Sequence, residues 1–408
     1  MYVSHLALND FRSYRETLIE FKPGITILLG YNGQGKTNVI EAIAYLAHLS
    51  SHRVNADNAL VRYPQPSEAS PSAAVIRAKI NRAERERILE IEIVKGRANR
   101  ARLNRVAVKP RDLVGEIKVV VFAPEDLNLV KGDPATRRHF LDSVATQMWP
   151  AYAAFKADYE RVLKQRASLL KQLGKMQRSG QKVDFSMLEI WDEQLVTLAR
   201  QLVALRMKLI AVITTPTQNA HETVARGVKK LQLEYANSIL EAFREVPLEI
   251  SEYKSLNELA SKEPDLYEKI MREALVKQRS NEVNRGVNLV GPHRDDLLLW
   301  LDDLPVKGFA SHGESWSVAL ALRLGCFEIL TKEEYGKVET PVLILDDVFS
   351  ELDGNRRRAL LEAIKPAKQV IITAAVETDV PAEIEAEVLS VTFSKETGSV
   401  CEAGKEDA

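Results

Sequence analysis

Cysteine is nearly missing from this chain, with Cys326 and Cys401 the two thiols in 408 residues. So few, so far apart, exclude a disulfide framework or a zinc site, and two reduced thiols predict a cytoplasmic setting. Long apolar runs are lacking as well. None approaches the roughly 18 consecutive residues of a transmembrane helix, so no membrane partner is expected. The first residues, Met1-Tyr2-Val3-Ser4-His5, lack the basic-then-apolar layout of a signal peptide. Neither sign of charge is in excess: 56 Lys and Arg face 57 Asp and Glu, a formal net charge of −1. Composition therefore does not announce a nucleic-acid partner. Aromatic residues are only 6%, and none interleave with basic runs as a single-strand stacking platform requires. There is no internal repeat. What is present is a globular composition, 45% hydrophobic and 28% charged, with room for two or three domains.

The first positive signal is Gly30-Tyr31-Asn32-Gly33-Gln34-Gly35-Lys36-Thr37. It fits G-x-x-x-x-G-K-[ST], a loop whose backbone N–H groups cradle phosphates. Residues 25–29 before it read as a buried strand. Residues 38–46 after it read as a helix with Val39, Ile43 and Leu46 on one face. Strand, glycine loop and helix is the context the motif requires, and the helix N-terminus adds partial positive charge beneath the phosphates. Lys36 then reaches the β- and γ-phosphates of ATP, and the Thr37 hydroxyl binds Mg²⁺.

Val342-Leu343-Ile344-Leu345-Asp346-Asp347 is an apolar run ending in two carboxylates. Such a run suits a parallel strand covered on both faces, and ligands in such sheets bind outside the carboxyl ends of the strands. Asp346 suits Mg²⁺, directly or through water. Asp347 suits a general base or water-orienting group for attack on the γ-phosphate. A nucleotide site needs this motif and the glycine loop together, so the chain must fold back across about 300 residues.

A third motif, Ala310-Ser311-His312-Gly313-Glu314, precedes a predicted helix with Val318, Leu322 and Phe327 inward and Leu320 and Leu324 beside them. A Ser-x-Gly turn at a helix start offers a hydroxyl and free N–H groups to an anion; it also reads as a plain N-cap. It stands 35 residues before Asp346, and Ser350-Glu351-Leu352-Asp353 follows that strand. The arrangement resembles the ABC-type ATPases, whose signature motif contacts the γ-phosphate held by a second subunit. The resemblance implies an α/β fold: an ABC-type ATPase head split in sequence, with an inserted, mainly helical arm. It further implies an ATP-dependent homodimer in which Ser311, Gly313 and Glu314 act in trans and Ser350 and Asp353 belong to the D-loop.

Finer matches narrow the branch. Asn9-Asp10-Phe11-Arg12-Ser13-Tyr14 is similar to the N-terminal strand of SMC-type and RecF-type heads. Pro124-Glu125-Asp126-Leu127, Gly132-Asp133-Pro134, Arg137-Arg138-His139-Phe140-Leu141-Asp142, Gly291-Pro292-His293-Arg294-Asp295-Asp296 and Asp347-Val348-Phe349 follow in the order of the RecF family over most of the chain. That resemblance implies nucleotide contacts from Arg12, Gly30, Tyr31, Asn32, Gly33, Gln34, Gly35, Lys36, Thr37 and Asn38. It implies Mg²⁺ on Thr37 and Asp346, and catalytic roles for Lys36 and Asp347. It also implies a weak, DNA-stimulated ATPase of recombinational repair, acting on duplex DNA or single/double-strand junctions at gaps and stalled forks. Partners of the RecR and RecO type, and recombinase loading, belong to the same implication. The alternatives are an SMC-like structural DNA clamp in which turnover is irrelevant and another ATP-driven DNA-processing enzyme.

This chain departs from the pattern at three points. Glu314 stands where many ABC proteins carry Gln. Asp347 stands where most carry Glu, so a base would sit one methylene further from the water, and slower hydrolysis is expected. No His follows residues 369–372, and Thr373 occupies roughly the place of the usual γ-phosphate-sensing His. A lid-loop Gln is not identifiable.

Charge is uneven despite the neutral total. Residues 77–111 hold twelve Lys or Arg against four Glu, including Arg97, Arg100, Arg102, Arg105, Lys109 and Arg111. Arg161, Lys164, Arg166, Lys171, Lys175, Arg178 and Lys182 form a second run. Arg97, Arg100, Arg102, Arg105, Lys171 and Lys175 are the candidate DNA contacts; both runs also read as solvated faces. The expected domains are 1–122 (first half of the ATPase), 123–283 (helical arm) and 284–408 (second half). Residues 64–72, rich in Pro and Ser, read as a flexible excursion. Leu188, Trp191, Leu195, Leu198, Leu202, Leu205, Leu209 and Val212 make a heptad seam. A helix with Tyr152, Phe155, Tyr159, Val162, Leu169 and Leu173 is expected to pack antiparallel on it after a turn at 174–184. An arm helix of about 28 residues spans only ~42 Å, which excludes a long tether.

Overall fold

The strand Ala73–Arg82 buries alternate side chains, whereas Val342–Asp346 buries all five. These are the two kinds of strand expected of a sheet covered on one face in one half and on both faces in the other. The computed structural model describes residues 1–408 apart from 52, 55, 65–68, 84, 226–228, 244–255, 335–336, 382 and 404–408. Much of the Pro- and Ser-rich excursion thus lies outside the described residues. Among those described, one sheet of twelve strands runs in the order Val106–Val108, Arg100–Leu103, Arg85–Val94, Ala73–Arg82, Tyr2–Phe11, Tyr14–Glu20, Gly398–Ala403, Glu387–Ser394, Gly24–Leu29, Gln369–Ala374, Val342–Asp346, Val119–Phe122. The last five of these strands pair in parallel.

The register of the parallel strands places the site. Leu29 pairs with Ala374, and Asp346 with Thr373, so the glycine loop and the acidic pair leave one edge of the sheet side by side. The helix Lys36–His48 follows the loop and packs against these strands. Residues 39–47 are buried throughout, Glu41 included, so the single apolar face expected from periodicity is in fact an enclosed helix.

The chain divides into two compact units, one of Met1–Leu127, Pro216–Lys229 and Ser311–Ala408, the other of Asn128–Thr215 and Lys230–Ala310. The expected return to the ATPase at residue 284 is therefore 27 residues early. Asp296–Leu301 pairs antiparallel with Leu231–Ala236 and Leu304–Pro305 in a separate three-stranded sheet of the second unit. The strand Leu231–Ala236 thus falls inside the stretch 123–283 expected to be a helical arm.

In the second unit the helix Ala151–Arg178 has 28 residues and runs on through the first part of the turn expected at 174–184, so the break falls at 179–185. The next helix, Ser186–Ala225, is longer than the seam predicted, at 40 residues with Pro216 inside. Its buried stripe is rotated. Leu188, Leu195, Leu202 and Leu209 are buried as expected, but Asp192, Ala199, Arg206 and Ile213 take the positions beside them. Trp191, Leu198 and Leu205 are half-buried and Val212 is exposed. Arg166 is the cause. It belongs to the predicted surface run yet is fully buried, donating to Asp192 at 2.6 Å, Glu282 at 2.6 Å and Asn288 at 2.7 Å. Its carboxylate on the long helix has to face inward, so the hydrophobic pattern alone points one position away. Leu170, Leu173, Leu188 and Val283 form a separate hydrophobic cluster of this unit. Among the described residues no helix is long and apolar enough to cross a membrane.

Candidate nucleotide site

Gly33 and Gly35 take left-handed φ values of 86° and 111°, which let successive loop N–H groups turn inward. At Gly35 a Cβ would also lie 2.5 Å from Ser399 Oγ. Ser399 thereby joins the site from the far end of the chain, its hydroxyl 2.7 Å from Gln34 O and 2.6 Å from Ser13 Oγ. Asn38 Nδ2 donates to the same Ser13 hydroxyl at 2.8 Å. Tyr31, Asn32 and Gly33 are exposed at the loop tip, while Lys36 is buried. Lys36 Nζ donates to Gly30 O at 2.5 Å and Tyr31 O at 3.3 Å, so its charge lies within the loop it is expected to serve.

Thr37 Oγ1 lies 3.5 Å from Asp346 Oδ1, joining residues 309 apart in sequence. Thr373, on the strand between them, donates to Asp346 Oδ1 at 2.6 Å and accepts from the Asp347 N–H at 3.0 Å. The hydroxyl is thus committed to the acidic pair, a role different from that of a phosphate-sensing His. Burial, reinforced by Asp347 and Glu125, pushes the Asp346 pKa up to about 6 against the Thr373 bond. Asp347 is half-buried and its pKa is also raised, by burial first, with Lys36 opposing. Its φ of 50° is the left-handed region, a strained setting that Asp tolerates better than most residues and that recurs at functional sites. A cavity of about 310 Å³ opens beside it, lined among others by Asn32, Asp347, Ser350 and Thr373.

These groups fit a magnesium nucleotide. Among the described residues no cluster of three or more His, Cys, Asp or Glu could cage a metal. Mg²⁺ needs no such cage, because one carboxylate and a hydroxyl suffice when phosphates supply further oxygens. A buried carboxylate with a raised pKa is the group a cation would relieve.

Arg12, with φ of 53°, gives a bidentate pair to the fully buried Glu41 at 2.8 and 2.6 Å and donates to Ala59 O at 3.1 Å. Its guanidinium is spent on the loop helix, a partner that spacing could not show. Ser311 is the N-cap of the helix His312–Leu330: its Oγ accepts from Glu314 N at 3.2 Å, and its own N–H donates to Glu314 Oε2 at 2.8 Å. This is a capping box, so Ser311 takes the N-cap role that stood beside the anion-site reading of the motif. Lys229 then binds Glu314 Oε1 at 2.7 Å, and with Ser311 it takes the carboxyl pKa down to about 2. Asp353 caps the helix Gly354–Ile364 and pairs with Arg356, whose Nε donates to Ser317 Oγ at 2.9 Å. A Cβ on Gly313 would meet the Arg356 guanidinium at 3.0 Å, so the Ser311–Glu314 turn and the Asp353 cap touch through this arginine. Ser350 Oγ donates to Asp347 O at 2.7 Å. Arg356, Lys229, Ser399 and Glu41 were missed as site residues, since each acts through a contact remote in sequence.

The predicted DNA contacts are scattered in character. Arg100 and Arg102 pair with Glu92 and Glu90 of the neighbouring strand at 3.4 and 2.7 Å. Arg97 and Arg105 stand exposed in turns, and Lys171 and Lys175 are exposed on the helix Ala151–Arg178; none of the four pairs with a carboxylate among the described residues.

Glycine loop, acidic strand end and capped signature helix on one split sheet define a P-loop ATPase head of the ABC and SMC type. A family model described as the RecF/RecN/SMC N-terminal domain matches residues 2–399. The chain is 48% identical over 385 residues to the DNA replication and repair protein RecF of Frankia alni, covering 94% of this chain and 96% of that one. It belongs to the RecF family. Its fold is similar to that of the recombination mediator protein RecF with ATP in the RecFOR pathway, at a TM-score of 0.80 and 26% identity over 96% of this chain and 95% of that one. An SMC head bound to the C-winged helix domain of ScpA shares the fold more loosely, at a TM-score of 0.53 and 14% identity over 100% of this chain and 98% of that one.

Proposed function

We propose that this chain is an ATP-dependent, DNA-binding recombination mediator whose two nucleotide sites are completed only in a homodimer. The observation that carries the reading is the approach of the Thr37 hydroxyl to the Asp346 carboxylate across 309 residues of chain. In this scheme the loop N–H groups and Lys36 hold the β- and γ-phosphates, and Thr37 and Asp346 hold Mg²⁺, which would supply charge neutralisation at the phosphates. Asp347 orients the attacking water and accepts its proton; the raised pKa suits it to that task. Ser311 and the start of its helix, with the partial positive charge of a helix N-terminus, offer a second copy's γ-phosphate an anion site, which makes ATP a switch for association. Turnover is expected to be slow because Asp347 is shorter than the usual Glu. Action at DNA gaps and forks, RecR- and RecO-type partners and recombinase loading belong to this proposal by resemblance to the RecF family, and a cytoplasmic setting by the two reduced thiols.

Light scattering on a sizing column, with and without ATP, tests the scheme. Wild type should dimerise with ATP, while Lys36→Ala and Ser311→Arg should remain monomeric. Asp347→Asn should still dimerise but hydrolyse ATP ~10²-fold or more slowly. ATP-induced dimers of Lys36→Ala would remove the phosphate-loop assignment.

A further inference from the structure

Two segments that the nucleotide site does not use meet inside the second unit. Residues 137–139 stand near the start of the helix Pro134–Met148, and residues 291–296 lead into the strand Asp296–Leu301. The two adjacent arginines behave differently. Arg137 is buried and bidentate on Asp296 at 2.7 and 2.8 Å, with a further bond to Gly132 O at 3.0 Å, which makes it a structural tie. Arg138 is half-buried and among the described residues donates only through Nη1, to the Asp295 carbonyl oxygen at 2.7 Å. It pairs with no carboxylate among the described residues.

Ala135, Arg138, His139 and Asp142 share one helix face by their spacing of three and four. That face lines a cavity of about 270 Å³ whose other walls include Lys156, Tyr159, Glu160, Arg206 and His293. Arg206 is bound to Asp142 at 2.7 Å, Tyr235 at 3.1 Å and Pro292 O at 2.8 Å. Lys156 lies 3.6 Å from Asp142 and 3.5 Å from Glu160. His293 is held between the Tyr159 hydroxyl at 2.7 Å and Asn288 O at 3.3 Å, and burial takes its pKa down to about 4, so it adds no charge near neutral pH. Lys156 and Arg206 match the two lining carboxylates, and although Asp296, Asp295 and Asp142 act on Arg138 through space, Arg138 forms no ion pair with any of them among the described residues. Its Nε and Nη2 remain available in a fork that suits phosphate oxygens.

The geometry points to a phosphate subsite in the second unit, centred on Arg138 and flanked by Lys156, that takes one backbone phosphate of DNA. This rests on the DNA-binding reading above. A backbone phosphate would fix position on DNA without reading sequence. A carboxylate could use the same donors, but the replication and repair relatives favour the nucleic acid.

The test compares full-length wild type, Arg138→Ala and Arg138→Lys for ATP-dependent duplex binding between about 50 and about 300 mM salt. Arg138→Ala should bind ~10-fold more weakly at the low end and lose about one unit of salt slope, equally on unrelated sequences. Arg138→Lys should recover part of both, and ATP-induced dimerisation should match wild type. Wild-type affinity and slope in Arg138→Ala would overturn the subsite and leave DNA binding intact. A wild type that binds no DNA would overturn both readings. Thermal unfolding with inorganic phosphate separates the sources: stabilisation lost in Arg138→Ala while DNA binding is unaltered would assign the cavity to free phosphate, against the proposal. Should Arg138→Ala fail to fold, Lys156→Ala carries the same slope test, and an unaltered slope there counts against the subsite.

Discussion

Burial holds the Asp346 carboxyl at a pKa of about 6, with Asp347 and Glu125 adding to the shift. A pKa raised on folding means that the folded chain holds the proton more tightly than the unfolded one. The resulting stability is fully present below about pH 4, the ordinary carboxylate value, and is lost as pH rises through about 6. In chelator and without nucleotide, Asp346→Asn should therefore be more stable than wild type at about pH 8, by ~2 kcal/mol, with the gap closing near pH 4. Denaturant unfolding at both pH values checks this; a less stable Asn variant at the higher pH would contradict the burial argument. Thr373 supports both members of the pair, so Thr373→Val leaves the Asp347 N–H without its acceptor. A loss of ~1–3 kcal/mol is expected in the same assay, together with slower hydrolysis.

Among the elements, the long helix Ser186–Ala225 shows where pattern reading stops. Its leucines at 188, 195, 202 and 209 were legible, because burial of one helical stripe is the main signal in a sequence. The neighbouring stripe was not, because Asp192 and Arg206 occupy it and a hydrophobic count rejects charged residues. They are inside because Arg166 and Asp142 neutralise them from other elements. Leu195→Ala should accordingly cost ~3 kcal/mol, whereas Val212→Ala, at a position 39% exposed, should cost less than about 0.5 kcal/mol. Equal losses in thermal or denaturant unfolding would restore the heptad seam. Arg166→Ala should cost ~3–5 kcal/mol, since it strands Glu282 as a buried charge and leaves Asp192 with Arg279 alone, at 3.4 Å.

For the whole molecule, the composite site makes a prediction that no single variant can. In the proposed two-fold dimer each site would take its phosphate loop from one copy and its Ser311 turn from the other. Lys36→Ala keeps a sound signature and Ser311→Arg a sound loop, so a mixed dimer retains one intact site of two. Since neither variant dimerises alone, pairing is confined to mixed dimers, and equal mixing of the two inactive proteins should recover up to about half of wild-type ATP hydrolysis. No recovery would argue for sites complete within one chain. By itself, the sequence determined the glycine loop with its strand and helix, the buried acidic strand and the capped Ser311 helix, because each depends on neighbours a few residues away. Tertiary structure decided the rest: Thr373 between two aspartates, Arg12 on Glu41, Lys229 on Glu314, and a second unit that ends at Ala310 instead of residue 283. Those outcomes depend on which buried charge meets which across tens to hundreds of residues, and sequence spacing carries no distance of that kind.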